Sequence, residues 1–195
     1  MSVRAENAVV TIFVLSLSLS ACAHALHVPN IEQRQHVEVR ESQFEREITL
    51  IGLNDLAADL DGLSQSEIMR APKGEFFLRS WIDPDDGTVS HQVYVRIQYH
   101  REESDGWRRA GTEEAEELEV ARIDYDVSNC SARTGRCTYV ETIGIDVRPE
   151  TLEEFRDTGL RIRLFAQSGR ELDLYLSSKQ IGAQLETKQD VLARR

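Results

Sequence analysis

Glu75-Phe76-Phe77-Leu78-Arg79-Ser80-Trp81-Ile82-Asp83-Pro84-Asp85-Asp86-Gly87-Thr88-Val89-Ser90-His91-Gln92-Val93-Tyr94-Val95-Arg96-Ile97-Gln98-Tyr99 is the stretch from which the fold can be read. Residues Asp83 to Thr88 hold the Pro, Asp and Gly that preset a turn, and β-rich runs flank them on both sides. Pairing Asp83 with Thr88 sets Ile82 opposite Val89, Leu78 opposite Val93 and Phe76 opposite Val95. All six apolar side chains then share one face, as a hairpin laid over a core requires. The same register puts His91 on the core side, opposite Ser80. The other face carries Phe77 opposite Tyr94, together with Trp81. Two readings of that second face stay open. It is covered, with the C-terminal helix as the obvious cover, or it displays an aromatic strip that takes sugar or peptide by stacking. Asp83, Asp85, Asp86 and Gly87 faintly resemble a calcium loop, but their spacing is wrong and no Glu completes a twelve-residue loop, so they read as a turn.

Further strands extend this hairpin. His36 to Arg40 alternates polar and apolar, and residues 44–52 with Phe44, Ile48, Leu50 and Ile51 read as a strand. Leu53, Leu56, Leu60 and Leu63 follow at helical spacing after the candidate cap Asn54, and Ser64 to Glu67 fits a capping box. Trp107 opens a short extended piece. Leu118 to Val127 places Ala121, Ile123, Tyr125 and Val127 on one face of a strand. Thr138 to Val147 does the same with Tyr139, Ile143, Ile145 and Val147. Pro149 to Asp157 reads as a short helix, with a capping box at Thr151 to Glu154 and a stop at Gly159. Leu160 to Ala166 and Glu171 to Leu176 form a hairpin turned at Ser168-Gly169. Ser177 to Gln180 then caps a last helix bearing Ile181, Leu185 and Leu192. The expected architecture is α+β: a mainly antiparallel sheet of six to eight strands, short helices and a C-terminal helix.

Composition bounds the rest. A chain of 195 residues with 41% hydrophobic and 29% charged residues suits one domain plus a short appendage. Eleven Gly and four Pro exclude collagen-like or Pro-rich material. With 23 Lys and Arg against 34 Asp and Glu, the net charge of -11 opposes a nucleic-acid partner.

The amino end reads as an address. From Ala8 to Leu19 there is no charge, and Val, Ile, Phe and Leu dominate. The run is shorter than the roughly 20 residues of a spanning helix and matches the apolar region of a secretory signal. It ends Leu19-Ser20-Ala21-Cys22, which resembles the lipobox of bacterial lipoproteins. The resemblance covers about the first 22 residues and implies cleavage before Cys22. It also implies acylation of that cysteine, palmitate-type chains included, and anchoring in a membrane by two or three chains. Ala23, rather than Asp, follows the cysteine, so in a Gram-negative source the resemblance implies an outer-membrane anchor with the domain on the periplasmic side. An ordinary signal peptide cut near Ala25 is the alternative. The expected division is a signal peptide over residues 1–21, a lipidated tether over 22–43, and one globular domain over 44–195. Fully extended, the tether reaches about 65 Å.

Lipidation of Cys22 leaves Cys130 and Cys137, seven apart across a turn between strand-like runs. In an exported protein this pair predicts one structural disulfide. Placing the two cysteines directly opposite would send the apolar sets of the flanking strands to opposite faces, so the hairpin must hold a bulge or an offset bridge.

No HExxH, GxSxG, Walker or dinucleotide motif occurs, and two thiols without nearby His make a poor zinc site, so no metal or cofactor is expected. Three of the five histidines, His24, His27 and His36, lie in the tether; the others are His91 and His100. Glu113, Glu114, Glu116, Glu117 and Glu119 form an acidic run that reads as solvated loop or as a docking patch for a basic partner. The candidate binding residues are the aromatics Phe77, Trp81, Tyr94 and Trp107. The expected function is a non-enzymatic binding or assembly module at the envelope, with an envelope protein or glycan as partner. The alternative is a hydrolase of an envelope polymer that works through paired carboxylates.

Overall fold

The computed structural model of the chain describes residues 34–42, 47–54 and 73–194. The signal segment with Cys22, the strand residue Phe44, most of the leucine stripe (Leu56, Leu60, Leu63) and the box at Ser64 to Glu67 lie outside the described residues. The described chain runs β1 (Glu38–Ser42), β2 (Glu47–Ile51), β3 (Lys73–Ile82), β4 (Val89–Arg101), β5 (Trp107–Thr112), β6 (Glu117–Leu118), β7 (Val120–Ser128), β8 (Cys137–Val147), α1 (Pro149–Glu154), β9 (Leu160–Ala166), β10 (Glu171–Leu176) and α2 (Ser178–Ala193). The class is α+β, as the sequence predicts, but the strands divide into two antiparallel sheets rather than one. A six-stranded sheet has the order β1-β2-β3-β4-β8-β7, and a four-stranded sheet the order β10-β9-β5-β6.

The β3–β4 hairpin has the register its sequence dictates. Ile82 pairs with Val89, Leu78 with Val93, Phe76 with Val95 and Phe77 with Tyr94. Asp83 N donates to Thr88 O at 2.9 Å, and Asp83 Oδ1 and Asp86 Oδ1 accept from the amides of Asp85 and Thr88. Gly87, at φ 74°, supplies the left-handed step that closes the turn. β8 continues the pattern, with Val147 beside His91, Ile145 beside Val93 and Ile143 beside Val95.

The inner face of the large sheet is covered by two bodies. The small sheet contributes Trp107, Ala110, Leu118, Leu160, Ile162, Leu164, Leu172 and Leu174 to one core with Leu78, Val93, Val95, Ile97, Ile143 and Ile145. Helix α2 lies against β2 and β3, where Ile181 and Leu185 enter that core and Val191 and Leu192 pack on Ile48, Leu50 and Ile82. Its capping box forms as expected, with Ser177 Oγ accepting from Gln180 N and Gln180 Oε1 from Ser177 N. The box expected at Thr151 does not form. Pro149 opens α1 with Arg148 at the cap, so Thr151 already lies inside the helix, and its hydroxyl donates to Glu116.

Cys130 and Cys137 are joined by a disulfide. The pattern calls for a bulge or an offset bridge, and the hairpin holds both. Ser128 pairs with Thr138, which puts the two cysteines one rung out of register, and a bulge falls between Arg122 and Asp124. The bulge corrects the expected single apolar face of β7. Tyr125 and Val127 lie in register with the inward residues Glu141 and Tyr139, whereas Ala121 pairs with Gly144 on the outer side. β7 is an edge strand, and Ile123, Tyr125 and Val127 are exposed.

Candidate functional site

The outer face of the large sheet holds a cluster of aromatic rings and arginines. Phe77, Arg79 and Trp81 alternate outward along β3, and Gln92 and Tyr94 face them from β4. Phe77 and Tyr94 stack with ring centroids 4.9 Å apart. The Arg79 guanidinium lies 4.6 Å from the centroid of the Trp81 ring and 5.0 Å from that of Tyr94. At the far end of the strip, the Arg34 guanidinium lies 4.2 Å over Phe77. The result is a strip of three aromatic rings with Arg34 capping the Phe77 end and Arg79 set between Tyr94 and Trp81, in which Trp81 and Tyr94 are partly exposed and Phe77 is buried. Helix α2 does not cover it. The expected cover is corrected, because Gln184 of the helix donates to Leu50 O and Ser80 Oγ, both on the inner side.

Arg79 is held by an amide rather than a carboxylate. Its Nε donates to Gln92 Oε1 at 3.1 Å, and its Nη2 donates to the same oxygen. Gln92 Nε2 in turn donates to Asp146 Oδ1 at 2.7 Å. Room for this amide comes from Gly144, where a Cβ would stand 2.1 Å from Gln92 Oε1. Burial lowers the pKa of Arg79 from its ordinary value, against the opposing pull of Tyr94 and Asp146.

Trp107 is corrected as a binding candidate. It is 3% exposed in the core between the sheets, reached from neither outer face, and its Nε1 has no hydrogen-bond partner there. His91 is the core histidine its register indicates. Its Nδ1 lies 2.6 Å from Ser80 Oγ, which accepts from Gln184 Nε2 at 2.8 Å. The network assigns the hydroxyl proton to Nδ1 and leaves the ring N–H at Nε2, which is buried without a partner. Burial lowers the His91 pKa to about 4; nearby Lys188 adds to the depression and Glu153 opposes it. The Ser–His pair is sealed: Ser80 is 0% and His91 3% exposed.

Sequence reasoning passed over Glu141. This carboxylate is 0% exposed in an otherwise apolar row of β8. It accepts from the Tyr99 hydroxyl, from Ser104 Oγ at 3.1 Å, from Gly106 N at 3.0 Å and from Trp107 N at 3.3 Å. Tyr99 also accepts from Asp105 N at 2.7 Å, and Asp105 meets Arg101 at 3.4 Å and Arg170 at 3.2 Å. Burial first, then the bond to Glu141, raise the Tyr99 phenol above its ordinary range. A visible signal existed: a charged residue at an inward position between Tyr139 and Ile143. Its donors come from residues 99–107, which spacing alone does not reveal. These two buried carboxylates, Asp105 and Glu141, staple the β4–β5 loop and line neither the cleft beside Arg163 and Phe165 nor the one beside Trp81 and Arg148.

The acidic run sits on the β5–β6 turn and beyond it. Glu113 pairs with Arg161 at 3.2 Å, Glu116 with Arg148 at 2.6 Å, and Glu117 with Arg109 at 3.7 Å. These residues border an open cleft of about 670 Å³ on the outer side of the small sheet, with Arg163 and Phe165 in its wall. A second open cleft, of about 750 Å³, includes Trp81, Ser90, Asp146 and Arg148 at the end of the aromatic strip. Among the described residues no cluster of three or more His, Cys, Asp or Glu could hold a metal ion. No described helix is long and apolar enough to cross a membrane. Comparison of the chain with protein-family models, with curated proteins and with solved structures returns no match.

Proposed function

We propose that the chain is a lipid-anchored envelope lipoprotein whose domain is a non-enzymatic binding or assembly module facing the periplasm. The observation that carries the binding half is the outer-face strip of Phe77, Tyr94 and Trp81, with Arg34 over Phe77 and Arg79 between Tyr94 and Trp81. Half-exposed aromatics and arginine are the side chains that supply most contact energy at recognition surfaces, because they bury large area at little entropic cost. The anchor rests on Leu19-Ser20-Ala21-Cys22, with Ala23 favouring the outer membrane in a Gram-negative source.

The two halves have separate tests. Cys22→Ser is expected to release the protein from the membrane fraction; a mutant that still partitions wholly with membranes refutes the lipid anchor. For the strip, a photocrosslinker at Trp81 in intact cells is expected to give a discrete adduct that disappears in an Arg79→Gln background. A crosslinker at Tyr175, exposed on the small sheet, is expected to give none. Release of soluble fragments from envelope polymer by the purified chain would replace the binding reading with the hydrolase one.

A further inference from the structure

We propose that Arg79 is an oxyanion site, which takes the phosphate or carboxylate group of a ligand whose apolar part lies along Trp81 and Tyr94. The inference deepens the binding reading of the strip and rests on it. Three observations carry it.

The first is the donor count. A guanidinium has five N–H donors. In Arg79 the Nε–H and one Nη2–H are spent on Gln92 Oε1. Among the described residues the two N–H groups of Nη1 and the second of Nη2 have no partner, and one from each nitrogen forms the end-on edge that grips a carboxylate or phosphate through two parallel bonds.

The second is rigidity. The guanidinium is fixed in its plane by Gln92 and flanked by two rings, and Gln92 is itself tied to Asp146 and seated over Gly144. A donor held this way loses little side-chain freedom when a ligand arrives.

The third is the missing counter-charge. Five surface arginines, Arg109, Arg148, Arg156, Arg161 and Arg163, have a carboxylate within ion-pair distance, and others that have none among the described residues, such as Arg96, Arg108 and Arg122, are exposed to water. Arg79 has none among the described residues, although it is partly buried in a chain of net charge -11. Arg34, over Phe77, likewise has no ion pair among the described residues. Its Nε donates to Gly52 O at 3.1 Å, and its Nη2 is buried without a partner. Asp146 attracts the guanidinium through space and holds Gln92, but it makes no ion pair with Arg79.

The test uses the purified full chain and its tryptophan emission. Of the two tryptophans, Trp81 adjoins the site and Trp107 is buried, so a ligand-dependent change reports on Trp81. Phenyl phosphate, and inorganic phosphate more weakly, are expected to shift the emission saturably. Arg79→Gln is expected to weaken phenyl phosphate by about tenfold or more, and Arg79→Lys by several-fold, because a point charge lacks the fork. Asp146→Asn, which removes a negative charge that attracts Arg79, is expected to tighten binding. Vesicles of phosphatidylglycerol, set against phosphatidylcholine, separate a lipid phosphate from a free one. No saturable response to phenyl phosphate, or equal affinity in wild type and Arg79→Gln with unchanged near-UV circular dichroism, overturns the proposal. If that failure comes with an intact Trp81 crosslink in cells, the oxyanion assignment falls and the strip as a binding surface stands.

Discussion

Glu141 and Arg79 break the same rule on opposite faces of one sheet. Each puts a charge in a strand row where apolar or aromatic neighbours dominate. The chain treats them differently. Glu141 is wholly buried and takes hydrogen bonds from four donors of the β4–β5 segment, so its lone pairs are spent inside the protein. Arg79 is held in place by one neutral amide and two rings, and part of its donor edge is left over. A buried charge whose bonding capacity is fully used does a structural job. A fixed charge with unused capacity at the surface is available to something else. This contrast separates the inner and outer faces better than hydrophobicity does, since both faces carry large apolar groups.

The largest expected effect tests the inner half of the contrast. Glu141→Ala strands the Tyr99 and Ser104 hydroxyls and the Gly106 and Trp107 amides, and it is expected to cost about 4 kcal/mol. Urea unfolding monitored by circular dichroism measures it. A loss below about 1 kcal/mol would mean that water replaces the carboxylate and that the staple is not structural.

His91 gives the next effect, read as a pH dependence. In the fold its imidazole stays neutral down to about 4, against an ordinary value of 6.5. Between those values the unfolded chain binds the proton and the folded chain does not. Stability attributable to His91 is therefore complete above pH 6.5 and falls as the pH drops toward 4, by about 3 kcal/mol in all. Replacing His91 with Gln is expected to flatten this slope. Lys188 and Glu153 face the ring from α2 and α1, and a slope that survives in the Gln variant would assign the effect to them or to other carboxylates.

The sequence reveals parts of both faces, for a physical reason. Where a residue's partner is set by local geometry, the partner can be read. The turn at Asp83 to Thr88 fixes the register of β3 and β4, and with it the Ser80–His91 and Phe77–Tyr94 pairs. The clash between the cysteine register and the apolar rows is likewise resolved by the one-rung offset of the bridge, and the bulge in β7 is a further step that the pattern does not require. Where the partner is remote, pattern is silent. Nothing near Ser177 says which face of the sheet α2 will cover, and the helix goes to the side of Ser80 and Leu50, not to the aromatic strip. Trp107 looks the same in sequence as the strip residues, and only the placement of the small sheet buries it. The division into two sheets is hidden for the same reason, because β5 pairs with β9 across some fifty residues. Arg79 reads as an ordinary outward charge until Gln92 and Gly144 are seen around it.

Gly144 offers the finest way to sharpen the comparison, because it separates stability from the state of Arg79. A Cβ at this position would stand 2.1 Å from Gln92 Oε1, 2.2 Å from its Cδ and 2.5 Å from its Nε2. All three atoms belong to the end of a flexible side chain, so the amide can swing away instead of forcing the sheet apart. Gly144→Ala is therefore expected to change stability by only about 1 kcal/mol in either direction, since a β-strand gains from losing a glycine what it loses in the displaced bonds. The effect on the outer face is expected to be larger. Without Gln92 the guanidinium loses its in-plane hold and its link to Asp146, and it becomes free to turn toward that carboxylate directly. Phenyl phosphate affinity should fall several-fold while the urea midpoint hardly moves. A variant that binds as tightly as wild type would show that the amide clamp does not prepare Arg79, whereas one that unfolds would show that Gln92 cannot leave and that the outer face is as closely packed as the inner.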